Sequence, residues 1–109
     1  MGITKTAGFT ETQNKRAVIF KALGHPARVA IIEMLIKRQA CICNDMVEEL
    51  PLSQSTISQH LRELKEVGII KGEIEGTSIC YCINESVWEE IKTDFSQLFG
   101  SYKNTGNCC

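Results

Sequence analysis

The 109-residue chain lacks any long hydrophobic run, and apolar stretches such as Val-Ala-Ile-Ile at 29 to 32 fall far short of the roughly 20 residues that span a bilayer. No membrane span is expected. No apolar signal core follows the opening Met-Gly-Ile-Thr-Lys-Thr, so the expected location is cytoplasmic. A basic excess is missing as well. Twelve Lys and Arg against 13 Asp and Glu leave a net charge of −1 and a pI near 6.1, without the cationic footprint that phosphate neutralisation usually leaves. The deficit is uneven, however: residues 1–40 hold seven cations against two acids, and residues 41–109 hold five against eleven. Internal repeats and low-complexity segments are absent, and the length suits one domain with a modest core.

What the chain does have is cysteine. Six of them fall in three close pairs, Cys41-x-Cys43, Cys80-x-Cys82 and the adjacent Cys108-Cys109. In a small secreted protein they would suggest a disulfide scaffold, but a reducing cytosol keeps thiols free and directs attention to thiolate chemistry.

Periodicity organises the rest into a flexible arm over residues 1–10, a folded unit over 11–99 and a polar, cysteine-bearing tail over 100–109. Ala17, Val18, Phe20, Ala22 and Leu23 suit a first helix from Thr12 to Leu23, ended by Gly24. Pro26 opens a second, whose apolar face is Val29, Ile31, Ile32, Leu35 and Ile36 and which is expected to be the most deeply buried. A short third helix over about 43–50 carries Met46, Val47 and Leu50 and breaks before Pro51. Ser53 caps a fourth with Ile57, Leu61 and Leu64 inward, and Gly68 stops it. Two helices joined by a tight turn make a helix-turn-helix unit.

Beyond Gly68 the period becomes two. Ile70, Gly72 and Ile74 alternate with Lys71, Glu73 and Glu75, Glu-Gly-Thr-Ser turns, and Ile79, Tyr81 and Ile83 alternate with Ser78, Cys80 and Cys82, which predicts a β-hairpin. A last helix carries the wide stripe Val87, Trp88, Ile91, Phe95, Leu98 and Phe99, and so small a chain leaves that stripe for a partner chain. The expected fold class is mainly α with a small β-hairpin: a winged helix-turn-helix of about five helices and a two-stranded wing, dimeric.

The segments Lys-Ala-Leu-Gly-His-Pro-Ala-Arg-Val-Ala-Ile-Ile-Glu-Met-Leu (21–35), residues 52–76 and the Cys-x-Cys within Ala-Cys-Ile-Cys-Asn-Asp-Met carry a resemblance to the ArsR/SmtB family of small dimeric metal-sensing repressors. It covers about residues 11–99, and it is nearest to the type responsive to arsenite or antimonite. The resemblance implies a homodimer through the first and last helices, double-stranded operator DNA as partner, no enzymatic activity and no cofactor for DNA binding. The residues themselves agree. On the fourth helix Gln54, Ser55, Thr56, Ser58, Gln59 and Arg62 face outward, short or amide side chains able to approach a major groove beside a cation for phosphate. Ser53, Ser55 and Thr56 stand at a helix N-terminus, where hydroxyls can meet phosphate oxygens. Lys71 is the candidate wing contact, opposed by Glu73 and Glu75. His60, beside Leu61 and Leu64, reads either as a packing residue or as a base contact.

In the arsenite-responsive members a Cys-x-Cys stands at the start of the first helix of the helix-turn-helix, and the matching positions here are Cys41 and Cys43. Where some members place a third cysteine three residues on, this chain has Met46, so Cys108 and Cys109 become candidates to complete the site. Thiolates select soft or borderline ions, and As(III) or Sb(III) is the implied inducer. Positions i and i+2 of a helix point roughly 200° apart, so gripping one ion between Cys41 and Cys43 requires the turn to distort, which sets ligation against DNA binding. Cys80 and Cys82, on the outer face of a strand and some 7 Å apart, are expected to be incidental. The family's other metal site, with Asp and His on the last helix, is not matched, because that helix has no histidine. Alternatives are a repressor that senses oxidants or persulfide through the thiols, a Cd(II) or Pb(II) sensor, and a bare dimerisation module. A thiol enzyme is disfavoured because Cys-x-Cys lacks the two-residue spacer of redox enzymes and His25 and His60 have no obvious acid partner.

Overall fold

The structure, a computed structural model, describes residues 8–38, 41–42, 49–75, 78–104 and 106, with backbone alone for 73–75 and 78. These residues form four helices and a two-stranded antiparallel sheet, in the order α1 (Glu11–Leu23), α2 (Pro26–Arg38), α3 (Gln54–Glu66), β1 (Ile70–Glu75), β2 (Ser78–Ile83) and α4 (Glu85–Gly100). The short helix expected over 43–50 lies outside the described residues apart from its last two positions, and so does the hairpin turn at 76–77.

Local chemistry sets the helix ends. Thr10 caps α1 through a reciprocal pair with Gln13: its hydroxyl accepts from the Gln13 amide and its own amide donates to the Gln13 side chain, both at 3.0 Å. Pro26 opens α2, where its missing N–H costs nothing. Ser53 caps α3, accepting from the Thr56 amide at 3.3 Å, and Asn84 caps α4 by accepting from the Val87 amide. The chain leaves α3 through Gly68 at φ 84°, a left-handed conformation that a side chain would strain.

The core gathers Ala22 of α1, Ile31, Ile32 and Leu35 of α2, Ile57, Leu61 and Leu64 of α3, and Ile42, Ile69 and Ile70 from the segments between helices and wing. Only part of the stripe expected on α2 is inside. Val29 and Ile36 are 43% and 47% exposed, because α1, α3 and β2 cover one side of the helix and a five-residue stripe is wider than that side. Nor does α2 stand out as the most buried helix, since α3 supplies Ile57, His60, Leu61 and Leu64. The stripe on α4 contributes no buried residue at all. Trp88 and Ile91 only flank the core, while Phe95 stacks on Phe20 of α1 with ring centroids 4.6 Å apart. Arg16 of α1 donates both Nε and Nη2 to the Asp94 carboxylate of α4, at 2.9 and 2.8 Å, which holds that carboxyl below its usual pKa.

The wing pairs as the alternation predicts, with Ile70 opposite Ile83, Lys71 opposite Cys82 and Gly72 opposite Tyr81. A further bridge joins the other edge of β2: Ile42 and Tyr81 exchange both backbone hydrogen bonds, at 3.0 and 2.9 Å. Cys41 and Ile42 are therefore extended chain laid along the wing. The expectation that this cysteine begins a helical turn is corrected, since the apolar Ile42 side chain enters the core by joining the sheet. Among the described residues no helix is long and apolar enough to cross a membrane.

Candidate nucleic-acid interface and thiol site

Helix α3 has two sides of opposite chemistry. Ile57, His60, Leu61 and Leu64 point inward, while Gln54, Ser55, Ser58, Gln59 and Arg62 are exposed and Thr56 is half-buried. Helical spacing puts 54, 58 and 62 in one row and 55 and 59 in the next, so these five form one polar surface two turns long. At its N-terminal end the Ser53 hydroxyl lies 2.9 Å from that of Thr56 and 3.2 Å from that of Ser55. The three hydroxyls form a cluster beside the first amides of the helix, where partial positive charge favours an anion. Lys71 is exposed on β1. The side chains of Glu73 and Glu75 lie outside the described residues.

His60 is a packing residue. It is buried, its Nδ1 accepts from Arg28 Nε at 3.1 Å, and its ring lies 4.4 Å from that of His25. Burial, and then the neighbouring His25 and Arg28 charges, hold its pKa below the ordinary value, only partly opposed by Glu63. Arg28 escaped the reading of the sequence. Its guanidinium also donates to the Ala22 carbonyl at 3.1 Å, so one side chain fixes α3 against the α1–α2 corner and sets the angle at which the polar surface is presented. A lone Arg on an otherwise apolar helix face was the available signal.

The thiols are arranged differently from expectation. Cys41 and Cys82 are joined in a disulfide with Cα atoms 4.4 Å apart, and Cys80 is disulfide-bonded too. Free thiols were expected throughout. Cys80 and Cys82 do occupy the face of β2 opposite Tyr81 and Ile83, yet they are only 2% and 8% exposed, so the expectation that they are incidental on an outer face is corrected. The extra bridge at Ile42 makes β2 a central strand flanked by β1 on one side and by Cys41–Ile42 on the other, and it sets Cys41 against Cys82. Their usable signal was the matched spacing of two Cys-x-Cys pairs, which an antiparallel register can set opposite each other. Cys43, Cys108 and Cys109 lie outside the described residues, and among the described residues no group of three or more His, Cys, Asp or Glu could hold a metal ion.

Comparison with known proteins agrees with this architecture. The family model described as bacterial regulatory protein, arsR family, matches residues 25–71. An uncharacterised HTH-type transcriptional regulator of Methanocaldococcus jannaschii is 42% identical over 84 residues, 75% of this chain and 93% of that protein. The arsenical resistance operon repressor of Bacillus subtilis is 31% identical over 91 residues, 83% of this chain and 86% of that protein. In three dimensions an ArsR-like transcriptional regulator from Rhodococcus matches with a TM-score of 0.68 at 22% identity, over 84% of this chain and 85% of that one, a likeness of fold. The chain belongs to the arsR family of bacterial regulatory proteins.

Proposed function

We propose that this protein is a transcriptional repressor that binds operator DNA as a homodimer and releases it when its thiols react with an inducer, As(III) or Sb(III) being the inducers the sequence favours. Residues 11–99 act as the DNA-binding and dimerisation unit. The observation that carries the reading is the polar surface of α3, where Gln54, Ser55, Ser58, Gln59 and Arg62 stand exposed on a helix whose opposite side is locked into the core. Gln59 reads a base edge, Arg62 and Lys71 meet phosphates, and Ser53, Ser55 and Thr56 meet a phosphate at the helix N-terminus. The kinship with an arsenical resistance operon repressor supports the choice of inducer.

In this reading Cys41 is one ligand, and Cys43, Cys108 and Cys109 are the candidates for the others. Since Cys41 lies on extended chain bridged to the wing, capture of an ion there acts through the stretch between Cys41 and α3, with no helical turn at Cys41 to distort. A coupling of about 1–3 kcal/mol between the two sites corresponds to a 5- to 150-fold loss of DNA affinity. The test is a DNA-release titration with As(III), Sb(III), Cd(II) and Pb(II) on the wild type, Cys41→Ser, Cys43→Ser and the Cys108→Ser/Cys109→Ser double variant. Release by As(III) that survives loss of both Cys41 and Cys43 rules out the metalloid site.

A second reading, an oxidant-sensing repressor of the same fold, is favoured by one specific observation, the Cys41–Cys82 disulfide. In it the same DNA surface is controlled by thiol oxidation.

A further inference from the structure

We infer that Cys82 of the wing is the resolving partner of Cys41, and that the two form a reversible dithiol clamp, closed by hydroperoxides, between the wing and the chain that leads into α3. The inference rests on the oxidant-sensing reading above and adds to it the site, the order of events and the role of the wing.

Three observations converge on this pair. The first is register. Ile42 and Tyr81 exchange both backbone hydrogen bonds, so the next pair outward, Cys41 with Cys82, occupies a position without such bonds, where antiparallel strands bring Cα atoms to about 4.5 Å and side chains closest together. The observed Cα separation of 4.4 Å is that spacing, and it lies within the range that a disulfide spans. The backbone ladder thus places the two sulfurs within bonding reach of each other. The second is asymmetric burial: Cys41 is exposed whereas Cys82 is almost wholly covered. An accessible sulfur beside a sheltered one is the arrangement of a peroxidatic and a resolving cysteine. The third is position in the recognition unit. The bond closes a loop with a sequence separation of 41 that contains α3 and β1, and Cys82 stands opposite Lys71 on the wing, the candidate phosphate contact.

The chemistry runs in two balanced steps. The Cys41 thiolate attacks the terminal oxygen of a hydroperoxide, so that an S–O bond forms and the O–O bond breaks. The departing alkoxide, or hydroxide from hydrogen peroxide, takes a proton and leaves as alcohol or water, while Cys41 becomes a sulfenic acid. The Cys82 thiolate then attacks the Cys41 sulfur, forming S–S and breaking S–O, and the hydroxide leaves as water with the proton given up by the Cys82 thiol. Two thiols are oxidised to a disulfide and one hydroperoxide is reduced; a dithiol reductant reverses the change by exchange. Closing the clamp adds a covalent tie to a junction otherwise held by the Ile42–Tyr81 hydrogen bonds, so that the junction no longer opens and the wing and helix lose the relative freedom with which they settle on a duplex.

The experiment uses the full chain, reduced under anaerobic conditions and then titrated with hydrogen peroxide. The wild type, Cys41→Ser, Cys82→Ser, Cys80→Ser and Cys108→Ser/Cys109→Ser are compared. The DNA probe is a duplex selected by the reduced wild type from a random pool, and disulfides are mapped by peptide mass spectrometry. Peroxide is expected to produce a Cys41–Cys82 peptide in the wild type, in Cys80→Ser and in the tail variant, with a 5- to 150-fold loss of DNA affinity that dithiothreitol restores. Cys82→Ser is expected to stop at a Cys41 sulfenic acid, trapped by dimedone, and to keep its affinity. Cys41→Ser is expected to show neither product. Peroxide-driven release that persists in Cys82→Ser, or a wild-type map in which Cys41 or Cys82 is joined to any other cysteine, overturns the inference and leaves the repressor reading intact. A reduced protein that selects no duplex overturns the repressor reading itself, and the peptide map then still decides the pairing.

Discussion

The imidazole of His60 sits where burial, and then coulombic interaction with His25 and Arg28, oppose its protonation, and its Nδ1 is already accepting from Arg28. Its folded pKa is therefore lowered. Above the ordinary value near 6.5 both folded and unfolded chains hold it neutral, and its full contribution to stability is present. As the pH falls below that value the unfolded chain takes the proton first, so stability declines until the folded pKa is passed. Denaturant midpoints measured from pH 7.5 down to 5 should fall for the wild type and fall less for His60→Gln; equal slopes would show that His60 is not the group responsible. Gly68 is the other residue whose identity follows from geometry. At φ 84° an alanine costs about 1–2 kcal/mol even though the nearest side-chain atom, on Val87, is 3.7 Å from the added carbon. Urea titration of Gly68→Ala checks this, and an unchanged midpoint would falsify it.

Helix α3 unites stability and recognition in one element, and the two are separable along its length because they use opposite faces, meeting only at the Ser53 cap. Ser53→Ala removes the cap and should cost about 1 kcal/mol of stability, seen as an earlier urea midpoint. Arg62→Ala lies on the exposed face and should leave that midpoint within about 0.5 kcal/mol while weakening DNA binding across sequences. It should also lower the slope of log affinity against log salt by about one. Gln59→Ala should instead relax discrimination at one base position by about 1–3 kcal/mol, read by competition between duplexes. If Arg62→Ala and Gln59→Ala bind every duplex as the wild type does, α3 is not the reading helix.

For the molecule as a whole, α1 and α4 carry more apolar surface than one chain can cover. Phe99 and Tyr102 are 65% and 73% exposed, and Phe99 lies against both Phe20 and Phe95. That aromatic face is the dimer surface in the proposed function. Phe99→Asp should shift the protein toward monomer in sedimentation, with at least a tenfold weaker association, while the core centred on Ile31 and Leu64 stays folded. A monomeric wild type would remove the basis for a homodimeric repressor. The Arg16–Asp94 pair ties the same two helices. Its contribution is present above the usual carboxylate range and is lost as the pH falls through the lowered pKa of Asp94.

Much of this protein is decided locally. The starts of α1, α3 and α4 follow from capping residues and that of α2 from a proline, α3 shows its inward side as Ile57, Leu61 and Leu64, and the wing register follows from period-two alternation, because these are interactions among near neighbours. The polar surface of α3 was legible for the same reason. Which apolar residues of α2 are covered was not, since that depends on how α1, α3 and β2 arrive, and Val29 and Ile36 lost their cover. The thiol site was least legible. No local pattern announces that residues 41 and 42 leave the helical part of the chain to pair with β2, yet that one bridge sets Cys41 opposite Cys82. Pairing between strands distant in the chain is settled by the fold, because only the assembled core offers Ile42 a buried place and the free edge of β2 a partner.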